Sequence, residues 1–383
     1  MQAMTSKERL LAAFRCQEVD YVPMNMHFWH NPRHPRATWR SERERLALYR
    51  EWGWDALVSI SPALTPSPEV RVELSHESVG DERRLRQVWH TPAGKLVEVL
   101  RITDDWLDAQ RVRDFLPFLD DFRGSRYVEF AVKREEDIDL LAYLFPEHNP
   151  RDMEQIQRGH AAARALADEF RVPLVVEHYA GMDWLTWLYP VKEAVLRVVD
   201  NRPAMKRLLE IINRACRRRL EALLELGVDA VDRRGWYESA DYWSPEIVED
   251  LATPCLRSEI EETHRAGVPH IYLMATGIMP LLPLLSSLPF DCLHGAEPAY
   301  GGQDAAEIRR RLPGKSMWGG ISGPEHLGRG APEQTERAVE RAFEVCGRRG
   351  FILGMAVGIR QDWPEENLQA CERAWRRLRA ADG

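Results

Sequence analysis

The sequence predicts an α/β fold, a single (β/α)8 barrel carrying a β-hairpin insertion near residues 66–132, and three observations carry that prediction. The first is the stretch from residue 268 to 320, where three strand-like runs (270–275, 290–296, 316–321) alternate with a short apolar helix and a charged one; such alternation marks βα units and a parallel sheet. The second is that each run ends in small or polar residues, Thr276-Gly277, Gly295-Ala296-Glu297 and Gly319-Gly320, at the strand ends where parallel α/β folds bind ligands. The third is that five more runs of strand character (21–28, 55–59, 172–178, 229–233, 351–356) bring the count to eight.

In chain order, Thr5-Ser6-Lys7-Glu8 is a capping box ahead of Leu10, Leu11 and Phe14, so the chain opens with a helix. Strand 21–28 follows, then a helix over 41–52 and strand 55–59. Residues 66–132 change character: 70–74, 85–91 and 96–102 are β-rich, and Pro92-Ala93-Gly94 reads as a hairpin turn. We place this stretch as an insertion at the barrel mouth. Helices are expected over 135–144, 150–170, 202–226, 245–266 and 331–348, and from Pro364 onward. With no linker or tandem repeat in view, residues 1–383 read as one domain.

Composition narrows the function. The 383 residues are 44% hydrophobic and 29% charged, an ordinary globular mixture, and the formal charge of −8 argues against a nucleic-acid binder. No apolar run approaches the roughly 20 residues that span a bilayer. The amino terminus has no secretory h-region, and the six cysteines (16, 216, 255, 292, 346, 371) form no ligand spacing. A cytoplasmic protein with reduced thiols is expected.

Strand ends supply the candidate site. The loop after the first strand holds His27, His30, Arg33, His34 and Arg36; Arg33 and Arg36 could bind carboxylate or phosphate through the planar guanidinium fork, or pair with nearby Glu. Glu177-His178-Tyr179 ends another strand, placing His178 as an acid or base, with Tyr179 beside the substrate. Next come Arg233 and Arg234, of which one should face outward because successive strand residues alternate, followed by Trp236. His294 and Glu297 complete the set of expected proton-handling groups. With His178 they are also the one constellation that could hold a metal, although no metal is expected. Trp184, Trp187, Trp236, Trp243 and Trp318 fall near strand ends and suggest a broad flat substrate or a corrinoid-carrying partner docking there, with Trp236 and Trp318 read as substrate contacts.

Several segments together resemble the uroporphyrinogen decarboxylase (URO-D) superfamily. KERLLAAFRCQEVDYVPM is similar to its opening helix, turn and strand, and EFAVKREEDIDLL to a later segment. VWHTPAGKLVEVLR resembles a hairpin of the methyltransferase-like branch, and ELGVDAV, YWSPEIVEDLATPCLRSEIEETHRAGV, MWGGIS and FILGMAVGIRQDWPEENLQACERAW follow in family order. The resemblance implies a TIM-type barrel and an enzyme, either a corrinoid-linked methyltransferase or a decarboxylase. It also implies signature residues that this chain lacks. Where thiol-activating relatives hold zinc, this chain has Met274, Thr276 and Val357, which supply no thiolate or imidazole. The decarboxylase histidine also falls at Val357, and the decarboxylase aspartate falls in Val58-Ser59-Ile60-Ser61.

The expectation is a one-carbon transferase of methyltransferase or demethylase type, acting on a small anionic or aromatic substrate without zinc, with any corrinoid carried by a partner protein. The alternatives are a decarboxylase whose arginines hold substrate carboxylates, and a non-catalytic barrel that binds a ligand or a corrinoid protein. A homodimer is the default assembly.

Overall fold

The computed structural model describes residues 3–28, 34–62, 64–119, 122–360 and 362–380, with the side chains of residues 107 and 108 left aside. Its contacts divide the chain into two compact units: residues 1–61, 157–178 and 223–383, and residues 62–156 with 179–222.

The first unit holds a parallel sheet of seven strands in chain order. These are β1 (Val58–Ile60), β6 (Leu174–Tyr179), β7 (Ala230–Arg234), β8 (His270–Met274), β9 (Cys292–Gly295), β10 (Ser316–Gly320) and β11 (Phe351–Gly354). Residues 22–28 supply the eighth position. Met24 bridges Leu353 of β11 in parallel on one side, and on the other its carbonyl accepts from the Asp55 amide at 2.9 Å, just ahead of β1. The sheet therefore curls closed, and the (β/α)8 reading holds.

Between β1 and β6 in sequence lies the antiparallel insertion, which forms a sheet in the second unit. Its strands, in order, are β2 (Arg71–Val79), β3 (Glu82–Thr91), β4 (Gly94–Arg101) and β5 (Tyr127–Glu129). Pro92 and Ala93 form the β3–β4 turn, as their composition predicts. The predicted hairpin is thus the centre of a four-stranded sheet. That unit also takes in 179–222, which the sequence did not connect with it.

The helices follow their signals closely. Ser41 caps the helix Glu42–Trp52, and Thr5 with Glu8 makes the capping box of Ser6–Phe14. Helices Pro150–Phe170 and Arg202–Leu226 run over the expected residues. The helix expected over 245–266 is interrupted: Pro245–Leu251 and Thr253–Arg265 meet at Ala252, because Pro254 has no N–H to continue the ladder.

Side-chain alternation sorts the strands into two faces. Val175, Ala230, Ile271, Cys292, Trp318 and Ile352 form one buried cluster with Leu10, Ala13 and Phe14 of the first helix. That helix packs its apolar stripe onto one end of the barrel interior. Two residues further along β6, β7 and β9, on the same face, stand Glu177, Asp232 and His294. The interior thus changes from apolar to polar toward the carboxyl ends of the strands.

Candidate functional site

The polar layer lines a cavity of about 550 Å³, a volume that suits a small molecule. Its floor comes from strand residues of the first unit: Asn25, Ser59, Glu177, Asp232, Arg234 and His294. Phe28, Trp39, Tyr49 and Trp318 give it aromatic walls.

Arg234 reaches Glu177 at 2.8 Å and Asp232 at 3.3 Å. Asp232 in turn faces His294, with 3.1 Å between Oδ2 and Nδ1. Both members of that pair are 2% exposed, so their ionisation is decided by each other and by Arg234. Burial opposes a charge on Asp232, but Arg234 and His294 outweigh it and hold the carboxyl below its ordinary range. Burial also pushes the His294 imidazolium down, against the pull of Asp232. The neutral-pH state is therefore an ionised Asp232 and a neutral imidazole. An ionised carboxylate can only accept, so Nδ1 carries the hydrogen and donates it. Nε2 is left with a lone pair, and it makes no hydrogen bond in the structure. The arrangement is a base whose tautomer is set from behind, next to a space that admits a small molecule.

The His294 ring lies flat on Trp318, with ring centroids 3.7 Å apart and planes 2° from parallel. Trp318 is anchored by its Nε1–H, which donates to the Asn25 carbonyl at 3.2 Å. Gly354 makes room for this: a Cβ there would lie 2.6 Å from Trp318 Nε1.

Of the site residues expected from sequence, His294, Arg234 and Trp318 line the cavity, and the question of which arginine faces inward is answered by Arg234. Its neighbour Arg233 turns the other way. It is fully buried between Glu238, at 2.8 Å, and Glu259, at 3.3 Å, and does not line the cavity. His178 does not line the cavity either. It follows an inward-facing residue and so turns outward, where its Nε2 meets Glu259 Oε1 of the helix Thr253–Arg265 at 2.9 Å. Arg36 also lies off the cavity: its fork is taken up by Glu365 at 2.6 Å and Glu372 at 2.7 Å, both on the last helix. Glu297 lies past β9, accepting from the Ala299 amide at 3.0 Å, and burial pushes its carboxyl up. Neither it, Tyr179 nor Trp236 lines the cavity. Tyr179 belongs to the second unit, where its carbonyl accepts from Trp184 Nε1 at 3.2 Å. Arg33 and His30 lie outside the described residues.

Sequence reasoning missed Asp232, which sits two residues before Arg234 and shares its face. The period of two from Arg234 was the available signal. It missed Asn25 and Ser59 for the same reason. His178, His294 and Glu297 do not converge, and among the described residues no three His, Cys, Asp or Glu side chains form a ligand set for a metal ion. Met274, Thr276 and Val357 offer a thioether, a hydroxyl and a hydrocarbon, a donor set that does not fit zinc. No helix of the described residues is long and apolar enough to cross a membrane.

Comparison with known proteins adds family and fold. The family model described as uroporphyrinogen decarboxylase (URO-D) matches residues 124–378. Among solved structures, a methyltransferase from Methanosarcina mazei is similar over 98% of this chain and 99% of its own, at 17% identity and a TM-score of 0.59. A B12-independent methionine synthase from Shewanella sp. W3-18-1 is similar over 57% of this chain and 64% of its own, at 14% identity and a TM-score of 0.40. The first likeness is one of fold, and the second is too distant to carry an argument. No curated protein sequence matches the chain.

Proposed function

This chain belongs to the uroporphyrinogen decarboxylase (URO-D) family, and on that premise we propose that it is a methyltransferase- or demethylase-like enzyme acting at a heteroatom of a small, flat substrate, with His294 moving the proton. The observation that carries the reading is the His294 Nε2, buried, unpartnered and backed by Asp232 at the cavity wall.

In the methylating direction, the substrate heteroatom uses its lone pair to bond the incoming methyl group, and the donor departs with the electron pair of the broken bond. The proton on the heteroatom passes to His294 Nε2, and Asp232 carries the balancing charge. In the reverse direction His294 first takes a proton from solvent, and the imidazolium then gives it to the leaving heteroatom. A positioned acid or base of this kind contributes about 10²–10⁴-fold. A corrinoid on a partner protein supplies or accepts the methyl group in this reading. The cavity is sized for the small substrate, so the corrinoid would meet it from outside.

Charge balance favours this over decarboxylation of a polyanion. The lining carries Glu42, Glu177 and Asp232 against Arg40, Arg45 and Arg234. Arg234 is engaged by two of these acids, and Arg45 by Glu42. A carboxylate entering the floor would meet Glu177 and Asp232, and Arg36 has no free fork to offer. The aromatic walls suit an uncharged ring instead.

The test is to mix the protein with free cob(I)alamin and a panel of O-, N- and S-methylated aromatic compounds and to follow methylcobalamin by absorbance. Formation with at least one compound, slowed about 10²–10⁴-fold in His294→Gln, is the expected result. Carbon dioxide release from a carboxylated aromatic, with no methyl transfer from any compound, would replace the reading with decarboxylation.

A further inference from the structure

Resting on this reading of His294, we infer that Trp318 is a positioning residue: its indole face fixes the imidazole on the line to Asp232 and stabilises the imidazolium formed when His294 takes a proton. Trp318 and His294 are register partners on adjacent strands β10 and β9, so the sheet itself sets the two rings side by side on the inner face. They meet at 3.7 Å between centroids and 2° between planes, which leaves the imidazole no freedom to tip without losing the contact.

Trp318 is itself held rigidly. Its N–H is committed to the Asn25 carbonyl, and Asn25 Nδ2 donates to the Asp55 carbonyl at 2.5 Å. Phe14 packs 5.9 Å from its ring at the apolar end of the interior. Trp318 lines the cavity, but one of its faces is already covered by the imidazole and its N–H is committed, which favours a role through His294.

The electrostatic part follows from the ring quadrupole. A cation within about 6 Å of an indole centroid is attracted to its face, and His294 is well inside that range. The other charged or titratable groups around the pair are Asp232 and Glu177, which favour the imidazolium, Arg234, which opposes it, and His27 on the cavity wall. The two acids outnumber the one cation, yet burial still holds the imidazolium down, so a π face against the ring adds to the groups that favour the charged form.

The experiment compares Trp318→Phe, which keeps a ring, with Trp318→Met, which fills the slot without one, after circular dichroism confirms their folds. The His294 ring is titrated by NMR in the free protein, and kcat and KM are measured with whichever substrate the panel yields. Trp318→Met should move the His294 titration to lower pH and lower kcat about three- to thirty-fold with little change in KM, and Trp318→Phe should restore most of both. An unmoved titration, or a change confined to KM, would overturn the assignment and return Trp318 to the substrate. If Trp318→Met fails to fold, Trp318→Leu replaces it, since leucine also fills part of the slot without a ring. The titration is read without substrate, so it tests Trp318 even if His294→Gln proves fully active and the base reading falls.

Discussion

At the scale of single residues, the site depends on which atom of an imidazole holds its hydrogen. Asp232 fixes that choice, and Asp232→Asn tests it with almost no change in volume. An asparagine can present its amide to Nδ1 and force the hydrogen onto Nε2, the wrong nitrogen for a base. We expect turnover to fall by about 10²–10⁴-fold while substrate affinity changes little. Near-parental turnover in Asp232→Asn would show that the pair is architectural. Legibility differed sharply between residues here. His294 was singled out because it stands near the end of a parallel strand, where such folds bind ligands. His178 had the same credentials and a different fate. Its partner Glu259 lies 81 positions away on a helix, and nothing near residue 178 announces that. Arg36 was weighed against pairing with nearby Glu, and its partners proved to be glutamates over 300 residues away, beyond any local pattern.

At the scale of elements, periodicity and caps were enough to locate nearly every helix and strand, since these are local devices. Connections between elements were harder, because buried polar pairs bridge distant segments. Arg219, on the helix Arg202–Leu226, is fully buried and reaches Asp152 of the helix Pro150–Phe170, as well as the carbonyls of Glu147, at 3.1 Å, and Ala215, at 2.9 Å. Asp152 also accepts from the Thr65 hydroxyl. Within the sequence this arginine reads as one of a solvated run, Arg217-Arg218-Arg219. Removing one partner strands a buried charge, so Arg219→Ala should cost about 3–5 kcal/mol, whereas Arg217→Ala, at a more exposed position, should cost under about 1 kcal/mol. Urea unfolding of the two variants decides it, and similar midpoints would show that Arg219 is dispensable.

At the scale of the whole molecule, the same buried groups tie stability to pH. The folded protein holds His294 below the ordinary imidazole value, so the unfolded chain binds a proton first as pH falls through about 6.5. Stability therefore drops on acidification, and the drop ends only once the folded protein is protonated too. Asp232 acts in the same direction lower down, because its carboxyl is depressed in the fold and that contribution is lost as pH falls through the carboxylate range. The urea midpoint should fall between pH 7.5 and pH 5.5 by less in His294→Gln than in the parent. Equal falls would mean that His294 titrates as an ordinary histidine. The barrel itself was legible as a count of eight strands, with the first assigned to 21–28. That segment has too few ladder partners to register as a regular strand, yet it closes the sheet through Met24.

The opposite orientations of Arg233 and Arg234 have a consequence for how this chain can vary. Adjacent codons along β7 face different surroundings: positions 232 and 234 line the cavity, and positions 231 and 233 pack into the layer behind it, so on the proposed reading they answer to different demands. A saturation library across β7 should show a two-beat rhythm, with abundance of soluble protein failing at one set and turnover failing at the other. New chemistry could then be acquired at alternate positions of an unaltered framework, one letter at a time, without the intervening arginine being disturbed.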